Sequence, residues 1–183
     1  MKLLIMGPPG AGKGTQAKIL AEKFNLVHLS TGDILRKEID KASNTGLKAQ
    51  TYMNAGNLVP DEVLLDMMNS TLTELKNQGV ILDGFPRTIP QAVGLSKIFQ
   101  SLSQAIDGII NIEVDKDVLI KRLVERAKNS GRADDTEEVI INRQNVYSEL
   151  TAPLIEFYQS DIINIDGDGS IEKVTERILK RIH

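Results

Sequence analysis

The residues most able to do chemistry begin with GPPGAGKGT, residues 7 to 15, directly after a short apolar run. Glycines let a backbone curl so that its N–H groups face a phosphate, the start of a following helix adds partial positive charge, and Lys13 can reach terminal phosphates. The usual pattern places Ser or Thr after the lysine, but Gly14 stands there and the hydroxyl comes later, at Thr15. The stretch predicts a phosphate-binding loop, and it leaves open what holds a magnesium ion beside it.

A second stretch, DGFPR at residues 83 to 87, ends another apolar run. If that run is a strand beside the first, the carboxylate of Asp83 can face the loop and hold a magnesium-bound water. Gly84 allows a ligand to approach closely, Pro86 stiffens the turn, and Arg87 supplies a planar fork for phosphate. An aspartate that only caps a strand end is the alternative. The neighbours of Asp83 favour a second phosphate-binding segment.

Arginine placement also points to phosphate. Taken singly, an arginine is more often an ordinary surface cation. Arg122 and Arg126 are spaced i, i+4 on a predicted helix, where like charges cost a few tenths of a kcal/mol that a bound polyanion would recover. In a chain of net charge -3 that carries a phosphate loop, the set predicts a site that surrounds several phosphates. Its members are Arg36, Arg87, Arg122, Arg126, Arg132 and Arg143.

Composition excludes several other chemistries. The chain has no cysteine, which removes disulfides, a cysteine-ligated zinc and a thiol nucleophile together. Few aromatic residues and the net charge argue against nucleic acid as a partner. No apolar run approaches the ~18 residues of a membrane span, so we expect a cytoplasmic protein. His28 is expected to be a hydrogen-bonded core residue. Phosphoryl transfer suits what remains, because it needs positioning and charge neutralisation.

These residues must be positioned by an alternation of strands and helices. Continuous runs rich in Ile, Leu and Val, typical of buried parallel strands, occur at Lys2–Met6, Leu26–Leu29, Gly79–Asp83, Gly108–Val114 and Asp161–Asp166. Helical periodicity is predicted between them, at Gly14–Phe24, Asp33–Asp40, Asp61–Lys76, Gln91–Ser101, Lys116–Ala127, Glu137–Gln159 and Ser170–Ile182. The order predicts one α/β domain with a doubly wound, five-stranded parallel sheet and ligands beyond its carboxyl edge.

The motifs taken together resemble the adenylate kinases of the nucleoside monophosphate kinase family. They are GPPGAGKGT, LSTGDILR at 29 to 36, GNLVPDE at 56 to 62, DGFPRT with Gln91, and GRADD at 131 to 135 with Arg143. The resemblance spans nearly the whole chain. It implies a P-loop NTPase fold with a flap for the nucleoside monophosphate at 30–59 and a short lid at 127–137. It also implies reversible, magnesium-dependent transfer in which ATP and AMP give two ADP.

The resemblance also assigns residues. ATP is expected on Gly10, Ala11, Gly12, Lys13, Gly14, Thr15, Arg126 and Gly169. AMP is expected on Thr31, Arg36, Asn57, Leu58, Val59, Gly84, Phe85, Pro86, Arg87, Gln91, Arg132 and Arg143. Catalytic roles are expected for Lys13, Asp83, Arg87, Arg122, Arg126, Arg132 and Arg143. Magnesium would be held by nucleotide phosphates and waters, with Asp83 and Asp33 on the waters and no protein ligand. Only Ala127 to Gly131 separate Arg126 from Arg132, which matches the short-lid form without zinc.

Three alternative functions share some of these features. A UMP/CMP kinase shares most motifs but tends to have Ala in place of Thr31 and Asn in place of Gln91, so this chain carries the adenine-type pair. A GTPase-like switch would need an NKxD guanine reader, and no Asn is followed by Lys. A non-catalytic nucleotide-binding module has little use for six clustered arginines. Position 57 is Asn where several relatives carry a charged or Gln-like residue. A monomer is expected.

Overall fold

The computed structural model of the chain describes residues 1–130 and 136–182, with residues 129 and 130 described by their backbone alone. A single parallel sheet of five strands is built in the order β2-β3-β1-β4-β5. The strands are β1 Lys2–Met6, β2 Val27–Ser30, β3 Val80–Asp83, β4 Gly108–Glu113 and β5 Ile162–Asp166. The predicted five-stranded α/β sheet is confirmed, and β3 lies beside β1 as expected.

Helices cover both faces of the sheet. They are α1 Lys13–Phe24, α2 Thr31–Asp40, α3 Asn44–Asn54, α4 Asp61–Glu74, α5 Ile89–Ser101, α6 Lys116–Ser130, α7 Glu137–Val146, α8 Pro153–Phe157 and α9 Ile171–Leu179. Several begin at a Ser or Thr whose hydroxyl accepts a backbone N–H of the first turn, as Thr88 does for α5 and Thr136 for α7. No described helix is long and apolar enough to cross a membrane.

Two apolar cores lie on opposite faces of the sheet. Along β1, Leu4 and Met6 pack with α4 and α5, whereas Leu3 and Ile5 pack with α1 and α9. Because both faces of the strand are covered, apolar side chains run without interruption from Leu3 to Met6 instead of alternating with polar ones. This double burial fixes the carboxyl end of β1, where the phosphate-loop sequence begins.

The segment predicted as one helix from 137 to 159 is interrupted. The α-helix α7 ends at Val146 and is followed by a π-helical turn, Tyr147–Thr151, before α8 begins at Pro153. Proline has no N–H to donate and its ring clashes with the carbonyl four residues earlier. The chain widens here, and the N–H of Ala152 bonds the carbonyl of Tyr147 instead. The prediction of a continuous helix was therefore wrong.

Candidate nucleotide-binding cleft

The main cavity lies at the carboxyl edge of the sheet, as the strand pattern predicts. It encloses about 450 Å³ and is lined from four sides: the loop before α1, the α2–α3 segment, the end of β3, and helices α6 and α7. Predicted site residues on its wall are Gly10, Gly12, Lys13, Gly14, Thr15, Thr31, Arg36, Asn57, Leu58, Val59, Asp83, Arg87, Arg122, Arg126 and Arg143. A single cleft thus brings together most residues that the sequence singles out.

Other predicted residues lie elsewhere. Gly84 and Pro86 line a smaller cavity of about 60 Å³ behind the main one. Ala11, Phe85 and Gln91 are buried, so any contact of Phe85 with a nucleotide would come from its backbone. Gly169 is not on the wall of the main cleft, and Arg132 lies outside the described residues. The assigned roles of all these residues stay predictions.

Glycines shape the loop between β1 and α1. Gly7 and Gly10 have φ values of 138° and 90°, which side chains rarely tolerate. A Cβ on Gly7 would lie 2.5 Å from the carbonyl oxygen of Ile112 on β4. The loop therefore packs directly against the neighbouring strand, and its turn brings Lys13 to the start of α1.

The amino group of Lys13 folds back onto this loop. Its Nζ donates to the carbonyl of Gly7 at 2.8 Å and to that of Pro8 at 2.9 Å. The pKa of Lys13 is lowered from 10.5 to about 7, mainly by burial and also by the cations of Arg87, Arg143 and Arg126, whereas Asp83 opposes the shift. An anion in the cleft would counter both the burial and the repulsion. A bound anion would therefore favour the charged form of Lys13.

Asp83 ends β3 directly opposite this loop. Its Oδ2 lies 3.3 Å from Nε2 of His28, and its side chain is 12% exposed. His28 is hydrogen-bonded as expected, but it lines the cleft instead of lying in the core. The carboxylate can thus contact a ligand bound to the loop.

The residues present fit a magnesium ion shared with a nucleotide. Over the described part of the chain, no group of three or more His, Cys, Asp or Glu side chains is placed to hold a metal by itself. Mg²⁺ usually keeps several waters and binds through one or two carboxylates plus substrate phosphates. Asp83 supplies one such carboxylate, whereas Asp33 bonds Arg36, with 2.7 Å between Oδ1 and Nη2.

The α2–α3 segment forms a second wall of the cleft. Thr31 is buried and donates its hydroxyl to the carbonyl of Gly84 at 2.9 Å. The segment is compact, because a Cβ on Gly46 would lie 2.1 Å from the carbonyl oxygen of Glu38. This wall contains Arg36 and ends at Asn57 to Val59, which line the same cleft. The segment can therefore present a cation and backbone groups to a second ligand.

Gln91 supports the loop that carries Arg87. Its Oε1 accepts the N–H of Arg87 at 2.7 Å, and its Nε2 donates to Oδ1 of Asp61 at 2.6 Å. The guanidinium Nε of Arg87 donates to the carbonyl of Gly84 at 2.8 Å. Both residues predicted to read a base, Thr31 and Gln91, thus also bond this loop. Their base-reading role stays a prediction.

Five of the six arginines grouped by the sequence line the cleft, and the sixth, Arg132, is not among the described residues. Arg122 donates through Nη2 to the carbonyl of Gly167 at 3.1 Å, in the loop before α9. So many cations around one cavity favour a ligand with several negative charges.

Three polar residues that sequence reasoning missed hold the cleft segments in place. Asn142 and Gln144 on α7 bond Ala55 and Pro9, and Thr151 donates to the carbonyl of Arg87 at 2.9 Å. Asn142 and Gln144 flank Arg143 in the sequence, which is the one signal that could have pointed to them.

A phosphate loop at the central strand of a parallel sheet, facing a second wall across an arginine-lined cleft, defines a P-loop protein of the nucleoside monophosphate kinase class. A family model described as Adenylate kinase matches residues 5–163. The chain is 48% identical to the adenylate kinase of Leptospira biflexa over 184 residues, covering 99% of both chains. It is 45% identical to that of Corynebacterium glutamicum, covering 100% of this chain and 99% of the relative. The adenylate kinase of Synechococcus sp. strain WH7803 is 48% identical over 97% of this chain and 96% of its own. The chain belongs to the adenylate kinase family.

Proposed function

We propose that this chain transfers a phosphoryl group reversibly between ATP and AMP, giving two ADP, with magnesium. The observation that carries the proposal is that Lys13 of the phosphate loop and Arg36 of the α2–α3 segment line one cleft, together with Arg87, Arg126 and Arg143. Two phosphate-binding walls that share a set of arginines suit a donor and an acceptor held end to end. A protein that binds one nucleotide needs only the first wall.

The donor is assigned to the phosphate loop. ATP phosphates would meet the N–H groups of Gly10 to Thr15, with Lys13 on the β and γ oxygens and Arg126 beside them. The loop near Gly169 would face the base. Lys13 leaves the carbonyls of Gly7 and Pro8 for the phosphates, because anionic oxygens are stronger acceptors for a charged lysine.

The acceptor is assigned to the second wall, the flap at 30–59, together with the loop at Gly84 to Arg87. Arg36 and Arg87 would hold the AMP phosphate, and Asn57 to Val59 would contact the nucleotide through their backbone. Thr31 and Gln91 would read the adenine. The pair Thr31 and Gln91 is what favours AMP over a pyrimidine monophosphate.

Transfer needs no covalent intermediate on the protein. An oxygen of the AMP phosphate attacks the γ-phosphorus of ATP, the bond to the β-γ bridging oxygen breaks, and ADP leaves from the loop side. Arg87, Arg122, Arg126, Arg132 and Arg143 would align the phosphates and offset the negative charge of the transferring group. Magnesium would offset further negative charge on the phosphates, and Asp83 would hold one of its waters.

Closure completes the proposal. The flap and the short lid at 127–137 would close over both nucleotides and exclude water, so that ATP is not hydrolysed, and reopening would limit turnover. A single chain supplies both walls, so a monomer suffices. We place the protein in the cytoplasm, where both nucleotides occur.

The test is an acceptor panel at fixed ATP and magnesium. Initial rates are measured with AMP, CMP, UMP and GMP, and kcat/KM for AMP is expected to exceed each of the others at least tenfold. If kcat/KM for CMP or UMP exceeds that for AMP, the chain is a pyrimidine nucleotide kinase instead. Binding of ATP with no transfer to any acceptor would indicate a nucleotide-binding module.

A further inference from the structure

Three consecutive residues of α7, Asn142, Arg143 and Gln144, point in different directions. Successive residues of an α-helix are turned by about 100°, so the first and third lie about 100° to either side of the second. Arg143 lines the main cleft. The helix therefore directs one amide to each side of an arginine that faces the nucleotides.

Asn142 contacts the end of the flap. Its Nδ2 donates to the carbonyl of Ala55 at 2.7 Å and to Oδ1 of Asn57 at 2.9 Å, which uses both hydrogens of that amide. Between these partners, Gly56 is buried with φ 74°, and a Cβ there would lie 3.0 Å from the carbonyl oxygen of Val139 on α7. The flap thus ends directly on this helix.

Gln144 contacts the phosphate loop on the opposite side. Its Nε2 donates to the carbonyl of Pro9 at 3.0 Å. The carbonyls of Gly7 and Pro8 accept Nζ of Lys13, so successive carbonyls of the loop are held by Lys13 and then by Gln144. Pro9 directly precedes Gly10, where the predicted phosphate-binding N–H groups begin. A shift of Gln144 would therefore be passed to the part of the loop that meets phosphate.

The carboxyl end of the same segment is anchored as well. Thr151, at the end of the π-helical turn and only 8% exposed, donates to the carbonyl of Arg87. The segment 142–151 therefore bonds the flap, the phosphate loop and the Arg87 loop. Anchored at three points, α7 holds a fixed place relative to both walls of the cleft.

We propose that Asn142 and Gln144 are positioning residues that set the two walls relative to Arg143: Asn142 places the AMP flap and Gln144 places the ATP phosphate loop. The inference rests on the proposed function, which supplies the two substrates. It also gives the side chain of Asn57 a role, because its Oδ1 accepts the hydrogen bond from Asn142 directly.

The test compares Asn142→Ala and Gln144→Ala with the matched control Asn145→Ala, which removes an exposed amide from the same helix. We expect Asn142→Ala to raise KM for AMP about three- to tenfold, as loss of one or two hydrogen bonds does, with KM for ATP within about twofold. Gln144→Ala should raise KM for ATP about three- to tenfold and leave KM for AMP within about twofold. Asn145→Ala should change neither. Calorimetric titration with AMP alone and with ATP alone should give the same split without turnover.

A second comparison isolates the amide pair. Asn57→Ala removes one of the two bonds of Asn142, so its effect on KM for AMP should be smaller, and the double variant Asn57→Ala/Asn142→Ala should be no worse than Asn142→Ala. Additive effects in the double variant would overturn the direct pairing.

Equal changes in both KM values, or none, in Asn142→Ala and Gln144→Ala would show a merely structural helix and overturn the inference. If either alanine variant loses its folded structure by circular dichroism, Asn142→Ser and Gln144→Met repeat the test with closer shapes. A wild-type chain that makes no ADP from ATP and AMP would refute the proposed function and the inference with it. An active wild type whose Asn142→Ala and Gln144→Ala variants do not separate KM for AMP from KM for ATP would refute the inference alone.

Discussion

A Cβ placed on Gly14 would lie 3.2 Å from Oδ2 of Asp83. In the usual phosphate-loop pattern a Ser or Thr stands at this position and its hydroxyl meets the metal. Here the glycine leaves the space beside the loop to a carboxylate, whose Oδ2 also lies 3.3 Å from His28. The displaced hydroxyl of Thr15 is thus matched by an acidic group on the adjacent strand, consistent with a magnesium ion held through waters.

Gly14→Ser is expected to weaken the use of magnesium. The new hydroxyl would lie within hydrogen-bonding reach of Asp83 and occupy the oxygen proposed to hold a magnesium-bound water. The free magnesium concentration that gives half-maximal rate should rise about three- to tenfold, the effect of losing one ordinary hydrogen bond. Gly14→Ala is the control, because it adds the same Cβ without the hydroxyl. Equal effects of Ser and Ala would show that crowding alone is responsible.

ATP binding should take up a proton above neutral pH. In the nucleotide-free protein the pKa of Lys13 is about 7, against an ordinary value of 10.5. Between these values unfolded Lys13 is protonated and folded Lys13 is neutral, so its contribution to the free energy of unfolding rises with pH across this window. Phosphate oxygens favour the charged form and restore the proton.

Titration calorimetry at about pH 8.5, in two buffers of different ionisation enthalpy, measures this uptake. Wild type should take up close to one proton per ATP, and Lys13→Met should take up none. Uptake that is unchanged in Lys13→Met would assign the proton to another group.

Gly46→Ala should damage the AMP side alone. Its Cβ would lie 2.1 Å from the backbone carbonyl of Glu38, so α2 and α3 must separate. Overpacking of this kind costs about 1–3 kcal/mol, and we expect KM for AMP to rise at least about fivefold. ATP affinity, measured by titration, should stay within twofold. Lys48→Ala, an exposed change on the same helix, is the control. An equal loss of ATP affinity would contradict the assignment of this segment to AMP.

Arg87→Ala should stop transfer while sparing ATP binding. Removing one preorganised donor to a developing charge costs about 100- to 1000-fold in rate, so kcat for ADP formation should fall by at least about 100-fold. The dissociation constant for ATP should change by less than about threefold, because Lys13 and the loop remain. Arg87→Lys keeps the positive charge but not the planar guanidinium, so its kcat for ADP formation should lie between those of wild type and Arg87→Ala. Arg181→Ala, on the exposed end beyond α9, is the control. Unchanged turnover in Arg87→Ala would remove its phosphate role.

Much of the fold could be predicted because its signals are local. Strands buried on both faces carry continuous apolar runs, so the run from Leu3 to Met6 predicts β1 at Lys2–Met6, where it is observed. The second strand was placed one residue early, at Leu26–Leu29 instead of Val27–Ser30, because polar Ser30 extends it at the cleft. The π-helical turn has no comparable local signal apart from Pro153, and it was missed.

Some residues of the site also have local sequence signals, whereas others do not. The phosphate loop and Asp83 follow strands directly, so strand order alone brings them together. The bond from Asn142 to Ala55 joins residues 87 positions apart, and the bond from Gln144 to Pro9 joins residues 135 apart. Such pairings depend on how α7 packs across the cleft, and no periodicity within either segment encodes them. Sequence patterns therefore identify many of the groups that line the cleft but not the groups that hold its walls in place.

Product stoichiometry tests the central claim most directly. The purified chain is incubated with ATP, AMP and magnesium, and nucleotides and free phosphate are quantified by chromatography over time. Two ADP should form for each ATP and AMP consumed, with no release of phosphate, and ADP alone should regenerate ATP and AMP. Release of phosphate from ATP while AMP stays unchanged would contradict the account, because the cleft would then pass the phosphoryl group to water.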